Sequence, residues 1–515
     1  MDDVDAVVIG SGPNGLVAAA LLARAGWSVT VLERSEVAGG AVHSGPLTVP
    51  GYVHDTYSAF YGLLHCSPVL TELGLDTAVQ WAHFSSPVAA AVAPESVAVC
   101  HRDPERTAAG LARRAAGDGA AWTALYRWWR DTGTYFLAQM LGPVGAPGPG
   151  MAFARRARRH GLLDTTQLLV GPLEALCVER LSDPAARALL AAGASHADVP
   201  VDHPGSTPAA LILALAAQHL GMPVPVGGAG RLAAALADTV TDAGGTIRTS
   251  TAVTRVVVER NRATGVETAD GSRLRARRAV LADTGPGALF HGLVGSDLLP
   301  ARYLEGLARF RYGTGVFKVD LALDGPAPWA APELADVGVV HLTGDLDSMA
   351  SAAHEARRGI VPATPMLIVG QQTVADPSRA PAGGHTLWVE THVPPVPRPA
   401  GSWNSVREAF FDVVMARLEA HAPGLGARVV GSAVRTPEDL ERENPNLVGG
   451  DLGAGSSALD QQLVFRPVPG WFRYRTPVKG LYLCSASTHP GGGVHGMAGH
   501  NCARRVLADR RRRRV

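Results

Sequence analysis

Near its amino terminus the chain carries glycines and a carboxylate spaced as a dinucleotide site requires. Gly10, Gly12 and Gly15 form a Gly-x-Gly-x-x-Gly pattern, and Glu33 follows it. The first glycine permits a tight turn, the second lets the backbone approach a pyrophosphate, and the third lets a helix pack closely on a strand. A carboxylate at the position of Glu33 can accept hydrogen bonds from a ribose. This combination predicts dinucleotide binding.

A strand, a helix and a second strand must position these residues. Residues 4–9 are apolar and β-branched, residues 16–25 are typical of a helix that ends at Gly26, and residues 28–32 predict a second strand. Together they form a parallel unit with a right-handed crossover. The free N–H groups at the start of the helix would then point at the phosphates.

A second glycine-rich stretch favours FAD over NAD. Glu33 and Arg34 are followed by the pair Gly39 and Gly40 and then by Ala41. Such a pair lets a second backbone loop pass close to a pyrophosphate. The sequence contains no second strand-GxGxxG-helix pattern, so we predict no separate nicotinamide domain. Electrons would leave through oxygen, a quinone or another external acceptor.

Segments far apart in the chain together resemble the phytoene desaturase-related branch of the flavin amine oxidase superfamily. They are residues 33–55, 223–232, 315–329 and 480–496. The resemblance is strong in these segments and weak between 80 and 210, where substrate specificity would reside. Two positions depart from the family pattern: Ala41 stands where many amine-oxidising relatives carry arginine, and Ser485 stands where relatives often carry glycine.

The resemblance implies non-covalently bound FAD and a set of residues that contact it. By position these are Gly10, Gly12, Pro13, Asn14, Gly15, Glu33, Arg34, Gly39, Gly40, Ala41, Val253, Ala486, Gly493, Val494 and Met497. In the family, the position of Val253 meets the adenine through its backbone, and the C-terminal turn and helix lie against the ribityl chain and ring. A core strand residue is the alternative for Val253.

The resemblance further implies that Lys318 reaches the flavin N5 through a water. Lys318 and Lys479 are the two lysines of the chain. A lysine can yield a proton and hold a water as an arginine cannot, because its pKa moves readily on burial. The alternative is a surface lysine on an edge strand.

Several other titratable residues fall near the motif segments and are candidate acids or bases. They are His43, His54, Tyr57, Tyr61, His489 and His495. We rank His495 first as the catalytic residue. The alternative is a local hydrogen-bonding role, which is common for a polar side chain beside a turn.

Length and pattern predict two intertwined domains of α/β class. At 515 residues the chain exceeds the size at which a single core usually stops growing. Residues 315–323 and 385–393 alternate between apolar and polar, as expected for strands of a separate sheet. We predict a discontinuous Rossmann-type FAD-binding domain over 1–75, 222–290 and 470–508, a mixed α+β substrate domain with a helical insert over 76–221 and 291–469, and a basic tail over 509–515.

Charge, cysteine spacing and the amino-terminal residues limit the partners, the metal content and the location that we predict. The net charge of +1 gives no overall attraction to nucleic acid. The 5 cysteines are scattered, so neither a disulfide framework nor a metal site is predicted. Acidic residues stand where a signal peptide would carry positive charge, and no apolar run reaches the length of a membrane span, which together predict a cytoplasmic protein. Peripheral membrane contact stays open.

The predicted reaction is dehydrogenation of a C–C bond in a largely apolar or polyene substrate, a class that the resemblance supplies. A hydride would pass to flavin N5 and a proton to water or a weak base. A substrate carried on a protein stays open. The alternatives are a polyene reductase or isomerase, an amine or amino acid oxidase, and a flavin-binding interaction protein without turnover.

Overall fold

Two apolar patterns in the sequence become two separate sheets in the computed structural model, which describes residues 2–511. The strands are β1 (Asp2–Ile9), β2 (Val29–Leu32), β3 (Ser44–Gly45), β4 (His54–Asp55), β5 (Trp81–Ala82), β6 (Ser86–Ala93), β7 (Ser96–Cys100), β8 (Val224–Pro225), β9 (Thr246–Arg248), β10 (Val253–Glu259), β11 (Arg262–Thr268), β12 (Arg273–Ala282), β13 (Gly315–Leu323), β14 (Val337–Leu342), β15 (Leu367–Gly370), β16 (His385–Val393), β17 (Val429–Arg435) and β18 (Leu481–Leu483).

Helices surround both sheets. They are α1 (Pro13–Arg24), α2 (Gly62–His65), α3 (Val69–Glu72), α4 (Leu75–Ala78), α5 (Pro104–Arg114), α6 (Asp118–Leu141), α7 (Pro147–Ala157), α8 (Leu162–Val170), α9 (Leu173–Arg180), α10 (Pro184–Ala191), α11 (Thr207–Leu211), α12 (Ala217–Leu220), α13 (Ala229–Thr241), α14 (Ala301–Leu307), α15 (Leu346–Arg357), α16 (Gln372–Ala375), α17 (Arg407–His421), α18 (Leu425–Arg428), α19 (Pro437–Glu443) and α20 (Met497–Arg511). The remainder of the predicted basic tail, residues 512–515, lies outside the described residues.

The first sheet is mostly parallel and is assembled from distant parts of the chain. Its order is β10-β11-β12-β1-β2-β9, with β18 beside β12. β1 runs parallel to both β12 and β2, whereas β10 and β11 form an antiparallel extension. Leu16, Leu232 and Val506, on α1, α13 and α20, belong to the buried core that covers one face of this sheet. The carboxyl ends of β1, β2 and β12 therefore lie side by side, the usual ligand edge of such sheets.

The second sheet is mostly antiparallel and follows the order β17-β13-β16-β15-β14-β6-β7. β13 and β16 have the bounds that the alternating sequence predicts. On one face, Phe317 packs against Trp403 and Phe410. The opposite face, called the polar face below, carries Lys318 and, directly across the ladder, Glu390. The predicted fold class, a Rossmann-type domain with a mixed α+β domain, is confirmed.

The helical insert covers residues 104–220, and it shares an apolar core with β6, β7 and α15. Trp122, Trp128 and Trp129 on α6 are buried within it. The Trp122 indole N–H donates to Gln218 Oε1 at 2.9 Å, which satisfies the polar edge of the ring. Within residues 2–511, none of the helices combines the length and the apolar character needed to cross a bilayer.

Candidate active site

The turn between β1 and α1 is closed tightly by its glycines. Gly10 has a φ of +90°, a conformation that side chains with a Cβ rarely adopt. A Cβ on Gly15 would lie 2.4 Å from the Gly10 carbonyl oxygen, and one on Gly40 would lie 2.9 Å from Gly12 Cα. The start of α1 therefore rests directly on the turn, and the second glycine loop passes against the first. This is the cradle that a pyrophosphate requires.

Glu33 is held rigidly beside this cradle. Its Oε2 accepts hydrogen bonds from Ser11 N at 2.8 Å and from Ser11 Oγ at 2.7 Å, and its Oε1 accepts one from Ser35 N at 2.8 Å. The Glu33 carbonyl accepts from Thr251 N at 2.7 Å, which brings the start of β10 and Val253 to the same edge. Arg34 is exposed there. The roles of these residues toward a ribose and an adenine stay predictions.

Asp283 is a buried carboxylate at the glycine turn that the sequence reasoning missed. Its Oδ2 accepts from Gly15 N at 2.8 Å and would lie 2.5 Å from a Cβ on Gly12. Burial, and to a lesser degree the nearby Glu33, raise the pKa of Asp283 to about 7, against the opposing effect of the Gly15 N–H. Its place in the sequence could have predicted a role at the site, because Asp283 directly follows the buried end of β12, and β12 is a parallel neighbour of β1.

We expect Asp283→Asn to remove a pH dependence of stability. The folded state keeps a proton on Asp283 up to about pH 7, whereas the unfolded carboxyl loses it near about pH 3.9. The free energy of unfolding of the wild-type apoprotein must therefore contain a contribution that falls as pH rises through this window. Asparagine keeps an oxygen for the Gly15 N–H and lacks this contribution.

Denaturant unfolding at about pH 5 and about pH 8 measures the difference. The loss of stability on going to the higher pH should be smaller in the Asp283→Asn protein. Asp242→Asn is the control, because Asp242 is exposed at the end of α13. Equal losses in wild type and Asp283→Asn would contradict the assignment.

A buried arginine donates hydrogen bonds to the backbone of the C-terminal glycine motif. Arg466 is 0% exposed. Its Nε and Nη2 donate to the Ala486 carbonyl at 3.2 and 2.9 Å, and its Nη1 donates to the Ser456 carbonyl at 2.9 Å. Burial lowers the pKa of Arg466 to about 10. Sequence reasoning missed Arg466, since no motif surrounds it.

The predicted ring-contacting residues of this motif differ in exposure. Ala486 and Val494 are half-buried and Gly493 is exposed, whereas Met497 is buried at the start of α20. A Cβ on Gly493 would lie 2.6 Å from Leu63 Cδ1. The backbone of this loop is thus close to the segment that follows the second glycine loop, as a shared cofactor channel requires.

His495 is fully enclosed by its own loop. Its Nδ1 accepts from Met497 N at 3.0 Å, and the Gly491 and Gly492 carbonyls also contact the ring. Burial and the neighbouring His489 lower the pKa of His495 to about 4. These contacts fix the shape of the turn, and a catalytic role for His495 stays a prediction.

The other histidines and tyrosines near the motifs have hydrogen-bonding partners within the protein. His489 Nε2 contacts the Gly142 carbonyl at 2.8 Å, His43 Nδ1 contacts Thr56 Oγ1 at 2.9 Å, and His54 Nε2 contacts Thr48 Oγ1 at 2.8 Å. The hydroxyl of Tyr57 donates to Glu443 Oε2 at 3.4 Å. The Tyr61 hydroxyl donates to the Ser58 carbonyl at 3.1 Å. Each side chain therefore stabilises a loop of the site.

Lys318 lies in the interior, on the polar face of the second sheet. Its Nζ donates to both carboxylate oxygens of Asp320, at 2.6 and 2.5 Å, and lies 5.8 Å from the centre of the Trp388 ring. Burial raises the pKa of Glu390, directly across the ladder, to about 8. The alternative of a surface lysine on an edge strand is wrong, because β13 lies between β16 and β17 and Lys318 is buried.

The central glycine motif, residues 223–232, is capped by carboxylates of the protein itself. Ala229 N donates to Asp55 Oδ1 and Gly227 N donates to Asp376 Oδ2, both at 2.7 Å. Arg379 bridges the two acids, with its Nη1 2.5 Å from Asp55 Oδ2 and its Nε 2.8 Å from Asp376 Oδ2. Buried charges therefore tie this motif, at the start of α13, to the segment between β15 and β16.

Comparison with known proteins places this geometry in context. A family model described as flavin containing amine oxidoreductase matches residues 14–387. Pyridine nucleotide-disulfide oxidoreductase domain-containing protein 2 of Mus musculus is 29% identical, and the match covers 98% of this chain and 94% of that protein. The neurosporene-forming phytoene desaturase of Cereibacter sphaeroides is 26% identical over 96% of this chain and 92% of its own.

A solved structure has the same fold over its full length. An oxidoreductase from Methanosarcina mazei superposes with a TM-score of 0.63 at 19% identity, covering 98% of this chain and 99% of that one. The arrangement of a Rossmann-type sheet and a mixed second domain is therefore shared by both proteins.

Proposed function

The chain belongs to the flavin containing amine oxidoreductase family and is an FAD-dependent oxidoreductase, and on this premise we propose that it dehydrogenates a C–C bond in a largely apolar or polyene substrate. FAD, when bound, supplies the acceptor for a hydride. The protein binds and orients the substrate, excludes water and accepts the second hydrogen as a proton. Oxygen or a quinone serves as the external electron acceptor.

One observation carries this choice of substrate class. The phytoene desaturase relative matches over almost the whole chain, including the substrate domain, where an isolated cofactor motif would not align. A match confined to the glycine turns would support FAD alone.

The proposal assigns the cofactor residues by the cradle that they form. Gly10, Gly12, Pro13, Asn14, Gly15, Gly39 and Gly40 hold the pyrophosphate, Glu33 and Arg34 lie at the ribose, Val253 meets the adenine, and Ala41, Ala486, Gly493, Val494 and Met497 lie along the ribityl chain and ring. The close approach of Gly40 to Gly12 supports this assignment, because both loops need bare backbone to reach one anion.

An anaerobic titration of the purified holoprotein tests the reaction. We expect phytoene or another polyene in detergent to bleach the visible band of oxidised flavin, and benzylamine and NADPH to leave it unchanged. Bleaching by NADPH would instead favour a polyene reductase or isomerase, and bleaching by the amine would favour an amine oxidase. A flavin that no organic compound reduces would overturn the proposed dehydrogenation.

A further inference from the structure

A pair of histidines connects the polar face of the second sheet to the helical insert. Lys318, Glu390, Ile368 and His341 are successive partners across β13, β16, β15 and β14. His341 Nε2 lies 2.9 Å from Nε2 of His196, which belongs to the helical insert. The insert and the polar face therefore meet through this contact.

The His196 ring is the accessible member of the pair, whereas His341 is buried. It retains a large accessible surface although it lies deep in the molecule, with the other ring packed edge to face at 5.2 Å. Accessible surface on a side chain that protein surrounds indicates an internal space beside it. Among the described residues, none forms a hydrogen bond with His196 Nδ1, whereas Nε2 contacts His341.

The hydrogen bonds fix which nitrogen of His196 carries a proton. His341 Nδ1 lies 3.2 Å from the Ala89 carbonyl, which can only accept, so this nitrogen carries the hydrogen. The Nε2 of a neutral His341 is then an acceptor, and His196 Nε2 must donate to it. The lone pair of a neutral His196 therefore resides on Nδ1, the nitrogen that has no partner.

Burial keeps both rings neutral. Burial lowers the pKa of His341 to about 4, against a small opposing effect of the Ala89 carbonyl. Burial also lowers the pKa of His196, and the titratable groups that face it, His341 on β14 and His392 on β16, lower it further. Near neutral pH, His196 Nδ1 is consequently an unprotonated base.

The same segment is tied to the C-terminal motif. Asp198, two residues beyond His196, accepts from Ser456 Oγ at 2.5 Å and from Ser457 N at 2.6 Å. Arg466 then joins Ser456 to Ala486 through their carbonyls. The segment that carries His196 is thereby tied to the predicted ring-contacting loop through a short chain of hydrogen bonds.

We propose that His196 Nδ1 is the base that accepts the substrate proton, and that His341 is the residue that positions it. The inference rests on the proposed dehydrogenation. One substrate carbon loses hydrogen with its electron pair to the oxidised flavin, which gains two electrons. The neighbouring carbon loses a proton to Nδ1, and the electron pair of that C–H bond becomes the C=C π bond. The imidazolium releases its proton to solvent, and oxygen or a quinone reoxidises the cofactor.

His196→Gln tests the base, because glutamine can still donate to His341 but cannot accept the proton. With a polyene that bleaches the wild-type holoprotein, we expect the anaerobic rate of bleaching to fall roughly 10²- to 10⁴-fold. FAD content and bleaching by dithionite should stay unchanged. His160→Gln, which removes another histidine of the insert that contacts Asp131, is the matched control. An unchanged rate in His196→Gln would overturn the proposal.

The positioning role has a readout that does not depend on turnover. Two-bond ¹H–¹⁵N spectra of ¹⁵N-histidine-labelled holoprotein report the tautomer, and the His196 signals are those lost in His196→Gln. We expect the Nε2–H tautomer at neutral pH in wild type and mixed tautomers in His341→Leu. A protonated or Nδ1–H ring in wild type would overturn the proposal even if no polyene reduces the flavin, an outcome that would separately defeat the proposed function.

Discussion

Gly15→Ala is expected to weaken FAD binding roughly ten- to hundredfold. The added Cβ would lie 2.4 Å from the Gly10 carbonyl oxygen and 3.0 Å from the Asp283 side chain. The first of these is backbone, so no rotation of a side chain can relieve the contact. Helix α1 must move away from β1, which opens the turn and displaces the N–H groups that face the phosphates. Equilibrium titration of apoprotein with FAD, followed by flavin fluorescence, measures the loss.

Gly117→Ala is the matched control for this substitution. Gly117 has a φ of −82° at the start of α6, and a Cβ there would meet nothing within 4 Å. We expect its FAD affinity to equal that of wild type. If Gly15→Ala also bound FAD with wild-type affinity, the assignment of the pyrophosphate to this turn would be wrong, because the cradle would then tolerate the displacement.

The parts of the fold that sequence could predict are those with local signals. The alternation of residues 315–323 and 385–393 predicts β13 and β16 at the bounds observed, because side chains on a strand alternate between faces. The glycine turn also predicts a strand before it and a helix after it, and both are present. The alternation of side chains and the glycines of a turn each involve only a few neighbouring residues. They can therefore be recognised without knowledge of the rest of the chain.

The partners of buried polar groups depend on contacts that no local pattern encodes. His196 and His341 are 145 positions apart, and Asp283 and Gly15 are 268 apart. Each pair forms only after strands from distant segments have been placed side by side. Arg466 differs, because its carbonyl partners Gly453, Ser456 and Ala486 lie only 13, 10 and 20 positions away, but no motif surrounds the arginine to mark it.

The contact between Lys318 and Asp320 can be predicted from the sequence. Residues two apart on a strand point to the same face of the sheet. The prediction of β13 therefore already places the side chains of Lys318 and Asp320 next to each other, where they form an ion pair. The resemblance to flavin enzymes implies a different partner for Lys318, namely the flavin N5. The two interpretations differ in what removal of the lysine should do.

Lys318→Met is expected to lower the free energy of unfolding by about 3–5 kcal/mol. The lysine and aspartate side chains are 0% and 1% exposed, so the variant leaves a buried carboxylate without its nearest cation. Arg435 lies 3.8 Å from the same carboxylate and offsets part of the loss. Burial already raises the pKa of Asp320, and loss of the lysine raises it further, so the destabilisation should grow as pH rises. Denaturant unfolding at several pH values measures it.

Lys318→Met combined with Asp320→Leu separates the structural from the catalytic interpretation. Replacing both residues removes this buried ion pair as a unit, and Arg435 keeps Glu443 as a partner, so most of the lost stability should return. Lys479→Met, which removes the other, exposed lysine, should leave stability and flavin reduction at wild-type values. If the double variant is stable and its flavin is reduced by substrate at the wild-type rate, Lys318 serves the interior ion pair alone. If the double variant is stable but its flavin is reduced more slowly than that of wild type, the lysine acts on the flavin as well. Restored stability would leave no folding defect to explain the slower reduction.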